Sequence, residues 1–119
     1  MLIVDDDEDL RETLGDVLTS LDISSVKAGS LRDIQRRSAE VAGCFLALLD
    51  INLGPNEPSG LDVCAWLLAH DFGGHIIFMT GHAAGYPLVS DARAMRGIAI
   101  LQKPIDLQVI EGMIGQHAP

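Results

Sequence analysis

CFLALLD, residues 44–50, is a run of six apolar residues closed by a carboxylate. A strand with one wet face alternates apolar and polar side chains. An unbroken run of this length instead belongs in a sheet covered on both faces, which usually means parallel strands. Four other apolar runs accompany it. Leu2 to Val4 ends abruptly in Asp5-Asp6-Asp7, and Ile23 to Ala28 is weaker, with Val26 its clearest strand former. His75 to Met79 stops at Thr80-Gly81, and Ile98 to Leu101 stops just before Lys103-Pro104.

Amphipathic segments fill the gaps. From Glu8 to Leu21, Leu10, Leu14, Val17, Leu18 and Leu21 recur at three- and four-residue steps, the stripe of a helix with one buried face. Ser30 is a candidate N-cap for a short helix carrying Leu31 and Ile34. Leu61 to Phe72 sets Leu61, Cys64, Leu67 and Leu68 on one face. A fourth helix is expected over residues 87–96, opened by Pro87, a residue favoured in a first helical turn. A fifth starts from Asp106 with Leu107, Ile110 and Ile114 as its stripe. Strand and helix thus alternate five times, which predicts a doubly wound α/β sheet with right-handed crossovers.

The 119 residues suit a single domain over residues 1–119 with one core, and 48% hydrophobic composition is enough to build it. Seventeen acidic residues against eight basic ones give a net charge of −9. That sign opposes a phosphate backbone and argues against direct nucleic-acid binding. Cys44 and Cys64 sit in apolar runs without a zinc or disulfide spacing. The N-terminus has neither a signal-peptide pattern nor an apolar stretch of membrane length, so a reduced, cytoplasmic setting is expected.

In doubly wound sheets the ligand site lies at the carboxyl ends of the strands, near the point where strand order reverses. Strand one contributes Asp5 and Asp6 there, strand three Asp50, and strand four Thr80; strand five leads into Lys103. Three converging carboxylates repel one another unless a cation neutralises them, and a hard, oxygen-seeking ion such as Mg²⁺ suits that donor set. A carboxylate can also act as a nucleophile toward phosphorus, with metal and lysine offsetting charge on the transferring group.

VDDDED after an apolar strand, LLDINL, MTG and QKP, in that order on five strands, resemble the receiver domain of two-component response regulators. The likeness covers essentially the whole chain. Asp5 to Asp50 spans 45 residues, Asp50 to Thr80 spans 30, and Thr80 to Lys103 spans 23, which agrees with that family. The resemblance implies a flavodoxin-like (βα)5 sheet of strand order 2-1-3-4-5. It implies Asp50 as phosphoacceptor, and Asp6, Asp50 and the backbone carbonyl of Asn52 as ligands of Mg²⁺ (or Mn²⁺), with Asp5 acting mainly through water. Thr80 becomes the switch hydroxyl, Lys103 the cation paired with Asp50 or its phosphate, and Lys103-Pro104 a cis peptide. Asn52 and His82 fall where side chains modulate dephosphorylation. The implied partner is a histidine kinase or a histidine phosphotransfer protein. The implied output face is formed by the fourth helix, fifth strand and fifth helix.

The chain departs from the family in several places. Strand five carries aliphatic Ile98 and Ile100 where an aromatic often serves the threonine switch. Gly81 stands where Ala is usual. NLGPNEPSG, after Asp50 and Ile51, is two residues longer than the common loop. Simpler readings stand beside these assignments. Asp7 suits a helix cap; His70, His75, His82 and His117 share no ligand spacing; Trp66 and Tyr86 read as core and loop residues; Arg32, Arg36 and Arg37 read as a solvated face. Two other functions compete with the switch. A phosphatase of the haloacid dehalogenase type wants a second Asp two residues after the nucleophile, where this chain has Asn52. A degenerate receiver binding constitutively would have lost the acidic pair or the lysine, and all are present.

Overall fold

The computed structural model describes residues 1–82, 86–95 and 97–118. Its strands are β1 (Leu2–Val4), β2 (Val26–Ala28), β3 (Leu46–Asp50), β4 (His75–Thr80) and β5 (Ala99–Gln102). Its helices are α1 (Glu8–Ser20), α2 (Leu31–Arg36), α3 (Ser38–Ala42), α4 (Gly60–Ala69), α5 (Pro87–Arg93) and α6 (Leu107–His117). The strands form one sheet of order β2-β1-β3-β4-β5, parallel throughout. Among the described residues no helix is long and apolar enough to cross a membrane.

Side chains alternate across each strand, and both faces of this sheet are covered. Leu2, Val4, Ala47, Leu49, Ile76 and Phe78 point into one core with Ile34, Val63, Cys64, Leu67, Val89 and Ala92 of the helices. Ile3, Leu46, Leu48, Ile77 and Met79 point into the other with Leu14, Leu18, Ile110 and Ile114. Two buried faces account for the unbroken apolar runs. Val4 pairs with Leu49, and Leu49 with Phe78, so Asp5 and Asp50 leave the sheet at the same level. Strand order reverses between β1 and β3, which puts the crevice of a doubly wound sheet beside these two acids.

Element ends differ from the sequence reading for local reasons. Cys44 is spent closing α3, its N–H donating to Val41 O at 3.0 Å, so β3 starts at Leu46. Ile23 packs against the core outside any strand, leaving β2 only three residues. The second helix breaks at Arg37, whose guanidinium donates to Lys27 O at 2.7 Å and to Glu40. The fourth and fifth helices of the sequence reading are therefore α5 and α6. Arg96, the expected end of α5, lies outside the described residues. The buried face of α4 runs through Gly60, Val63, Cys64 and Leu67, while Leu68, expected to be inside, is 55% exposed. Leu21 and Leu107 likewise lie at the exposed edges of their stripes.

Candidate functional site

The apolar strands end in groups that need partners. Asp5 is completely buried. Its Oδ1 accepts the Asp7 N–H at 2.9 Å, and its Oδ2 accepts the Lys103 ammonium at 2.7 Å. Asp6 is exposed, and Asp7 caps α1 by accepting the N–H groups of Asp9 and Leu10. Asp50 is nearly buried; Oδ1 accepts the Asn52 N–H at 3.3 Å and Oδ2 accepts Lys103 at 3.2 Å. One carboxylate oxygen from each of Asp5, Asp6 and Asp50 lies within 4.8 Å of the others. Clustered carboxylate oxygens of this kind fit a small hard cation.

Burial, reinforced by the charge of Asp5, pushes the Asp50 carboxyl up to about 7; Lys103 and the Asn52 N–H pull it back only partly. Burial also works against the Lys103 ammonium, but the hydrogen bond to Asp5 and the charges of Asp50 and Asp5 outweigh it and hold the lysine above its usual range. Lys103 is thus a fixed positive charge between two acids.

Thr80 is buried at the end of β4, and its Oγ1 accepts the His82 N–H at 3.0 Å. Its carbonyl accepts the Lys103 N–H at 2.8 Å, which ties β5's exit to β4's. The Lys103-Pro104 peptide is cis. A shallow cleft of about 370 Å³ opens here, lined by Asp6, Asp50, Asn52, Gly54, Pro55, Gly81, His82 and Lys103. Across its mouth the Asn52 amide meets His82 Nε2 at 3.2 Å. All the sequence-selected residues on β1, β3, β4 and β5 thus gather at one edge. His75 and His117 do not join them; their rings pack on each other, centroids 3.8 Å apart.

Three further neighbours carry no role in the sequence reading. Arg11 donates to the Asp5 carbonyl oxygen at 2.6 Å, reaching back from α1. Gly60 opens α4 so close to β3 that a Cβ there would lie 2.1 Å from the Asp50 carbonyl oxygen. Tyr86 stacks on the His82 ring, centroids 4.2 Å apart. Only Gly60 has a sequence signal, a glycine directly after the Ser59 cap, and a glycine there reads equally well as loop.

The family model for the response regulator receiver domain matches residues 1–115. No match is found among curated proteins. Several solved structures share the fold. The response regulator receiver domain (CheY-like) from Methylobacillus flagellatus is 23% identical with a TM-score of 0.75, the match covering 97% of this chain and 94% of that one. The PhyR response regulator REC domain of Erythrobacter litoralis is 24% identical with a TM-score of 0.77, over 97% and 85% of the two chains. The receiver domain of NtrX from Brucella abortus is 19% identical with a TM-score of 0.78, over 97% and 94%. With its sheet order, its acidic pocket and a family match over nearly its full length, the chain belongs to the response regulator receiver domains of two-component signalling.

Proposed function

We propose that Asp50 is the residue on which this receiver carries its phosphoryl group, with a histidine kinase or histidine phosphotransfer protein of the cytoplasm as donor. One observation carries the reading: three carboxylates and a lysine bonded to two of them meet at the carboxyl ends of β1 and β3. An Asp50 oxygen attacks phosphorus, the bond from phosphorus to the donor's imidazole nitrogen breaks, and the imidazole keeps the electron pair. Residues 1–119 act as one receiver unit in this scheme.

Asp5, Asp6, Asp50 and the Asn52 carbonyl are the residues that would hold Mg²⁺ or Mn²⁺. When bound, the ion supplies positive charge against the phosphoryl oxygens and the crowded acids. Lys103 offers its ammonium to the same oxygens, giving up the Asp50 half of its present contacts while Asp5 keeps it in position. Thr80 Oγ1, which now accepts the His82 N–H, can turn its own hydrogen to the phosphoryl group. That turn, made while Oγ1 still accepts the His82 N–H, would draw in the end of β4 and alter the face formed by α5, β5 and α6. Autodephosphorylation would follow from water reaching the same cleft past Asn52 and His82.

The haloacid dehalogenase alternative lacks its acid/base, because Asn52 cannot take that role. Acetyl phosphate with Mg²⁺ tests the proposal. The intact protein is expected to gain the mass of one phosphoryl group, lost again on hydroxylamine treatment, and Asp50→Ala is expected to gain none. An unmodified wild type, or a modified Asp50→Ala, would sink the assignment.

A further inference from the structure

Asn52 and His82 stand on opposite sides of the cleft, each two residues beyond a strand end. The Asn52 amide is oriented by its own loop: Oδ1 accepts the Gly54 N–H at 3.0 Å, so Nδ2 faces His82. An amide NH₂ only donates, so His82 Nε2 accepts with its lone pair and the imidazole proton sits on Nδ1. The His82 main chain is held separately, its N–H on Thr80 Oγ1. The ring is held by Tyr86, nearly parallel to it with 14° between the planes. Tyr86 in turn is half-buried, packs against the larger core, and directly precedes Pro87 at the start of α5. The ring beneath His82 is thus backed by the core.

We propose that Tyr86 is a positioning residue that sets how long the phosphorylated state lasts. It fixes the His82 ring where Nε2 is occupied by Asn52, so the ring walls the cleft and offers no free lone pair to an incoming water. Hydrolysis forms a bond from water oxygen to phosphorus and breaks the bond from phosphorus to Asp50. Asp50 leaves as carboxylate, and the water's protons pass to phosphate and solvent. Both the approach of that water and the acceptance of its proton are hindered while the ring is held. The inference rests on Asp50 as phosphoacceptor, and it assigns to a residue outside the cleft lining the control of a residue within it.

The test uses the whole chain, loaded with acetyl phosphate and Mg²⁺, desalted, and followed by intact mass. Tyr86→Leu is expected to lose its phosphoryl group roughly three- to tenfold faster than wild type, the rate equivalent of one aromatic pair, and Tyr86→Phe to stay within about twofold. The double variant Tyr86→Leu/His82→Ala should decay no faster than His82→Ala alone. Equal lifetimes in Tyr86→Leu and wild type, or additive effects in the double variant, overturn the proposal while leaving the Asp50 assignment intact. A wild type that takes no phosphoryl group on Asp50 overturns both. Proton NMR of the unphosphorylated wild type gives a check that needs no variant: the His82 ring protons should be shifted upfield by the tyrosine ring current. Unshifted protons overturn the proposal.

Discussion

Lys103 is held more tightly by Asp5 than by the acid it is expected to serve: its ammonium lies 2.7 Å from Asp5 Oδ2 and 3.2 Å from Asp50 Oδ2. Asp5 is completely buried and also accepts a backbone N–H, so it acts as the lysine's anchor. Asp50 receives only part of the lysine's charge while feeling the full charge of Asp5. Burial first, and that imbalance second, are why a carboxyl with a lysine partner still rises to about 7.

The raised carboxyl makes metal-free stability fall with pH. Asp50 titrates at 3.8 in an unfolded chain and at about 7 in the folded one, so the native state holds the proton more tightly. The stabilisation from that proton is complete below about pH 4 and is lost as pH rises through 7. In EDTA, Asp50→Asn should therefore exceed wild type by about 2–4 kcal/mol at pH 8, with a much smaller gap at pH 4–5. Urea unfolding at the two pH values checks this, and a pH-independent gap contradicts it.

Metal binding should show the same proton from the other side. A cation that needs the Asp50 carboxylate must displace its proton below about pH 7. Apparent Mg²⁺ affinity should drop by up to about tenfold per pH unit there. Calorimetry at pH 6.5 should give an enthalpy that changes with the ionisation enthalpy of the buffer, reporting proton release. Asp50→Asn should bind more weakly and lose the buffer dependence. Identical enthalpies across buffers for wild type would contradict the prediction.

Replacing the lysine isolates its electrostatic role. Lys103→Met keeps the apolar stem but leaves Asp5 and Asp50 facing each other without a cation. In EDTA at pH 8 the variant should lose about 3 kcal/mol, the scale of a broken buried pair. Saturating Mg²⁺ should then recover more stability in the variant than it adds to wild type. Melting curves with and without Mg²⁺ decide it, and an equal gain in both proteins is the failing outcome.

The strand-end groups are legible in the sequence because four of the five apolar runs stop on polar residues, and parallel strands bring such stops to one edge. Asp5, Asp50, Thr80 and Lys103 carry that signal. The break at Arg37 does not, since it is set by an Arg37 bond to Lys27 O on a neighbouring strand, a tertiary contact with no local pattern. The inward face of α4 is legible at Cys64 and Leu67, but its centre at Val63 and the exposure of Leu68 are not, for a related reason. Leu61 and Leu68 are as apolar as Val63 and Leu67, and the close approach of Gly60 to β3 decides which face turns inward. Tyr86 reads as an ordinary loop residue because its tie to His82 is a ring stack, which sequence spacing does not encode.

A Cβ on Gly60 would fall 2.1 Å from the Asp50 carbonyl oxygen and 2.9 Å from Ile51 Cα, both main-chain atoms with no rotamer to yield. Gly60 also donates its N–H to Ile51 O at 2.9 Å, locking the start of α4 to the end of β3. Gly60→Ala should therefore cost about 3 kcal/mol, the upper range of an overpacked core site. Because the displaced backbone is that of Asp50 itself, Mg²⁺ affinity should fall with stability. Gly112, inside α6 with nothing within 4 Å of where a methyl group would sit, is the control. Gly112→Ala should gain about 1 kcal/mol from helix propensity and leave Mg²⁺ binding unchanged. Urea unfolding paired with Mg²⁺ titration separates the two sites, and a Gly60→Ala protein with wild-type stability and affinity would show that α4 does not press on the phosphoacceptor strand.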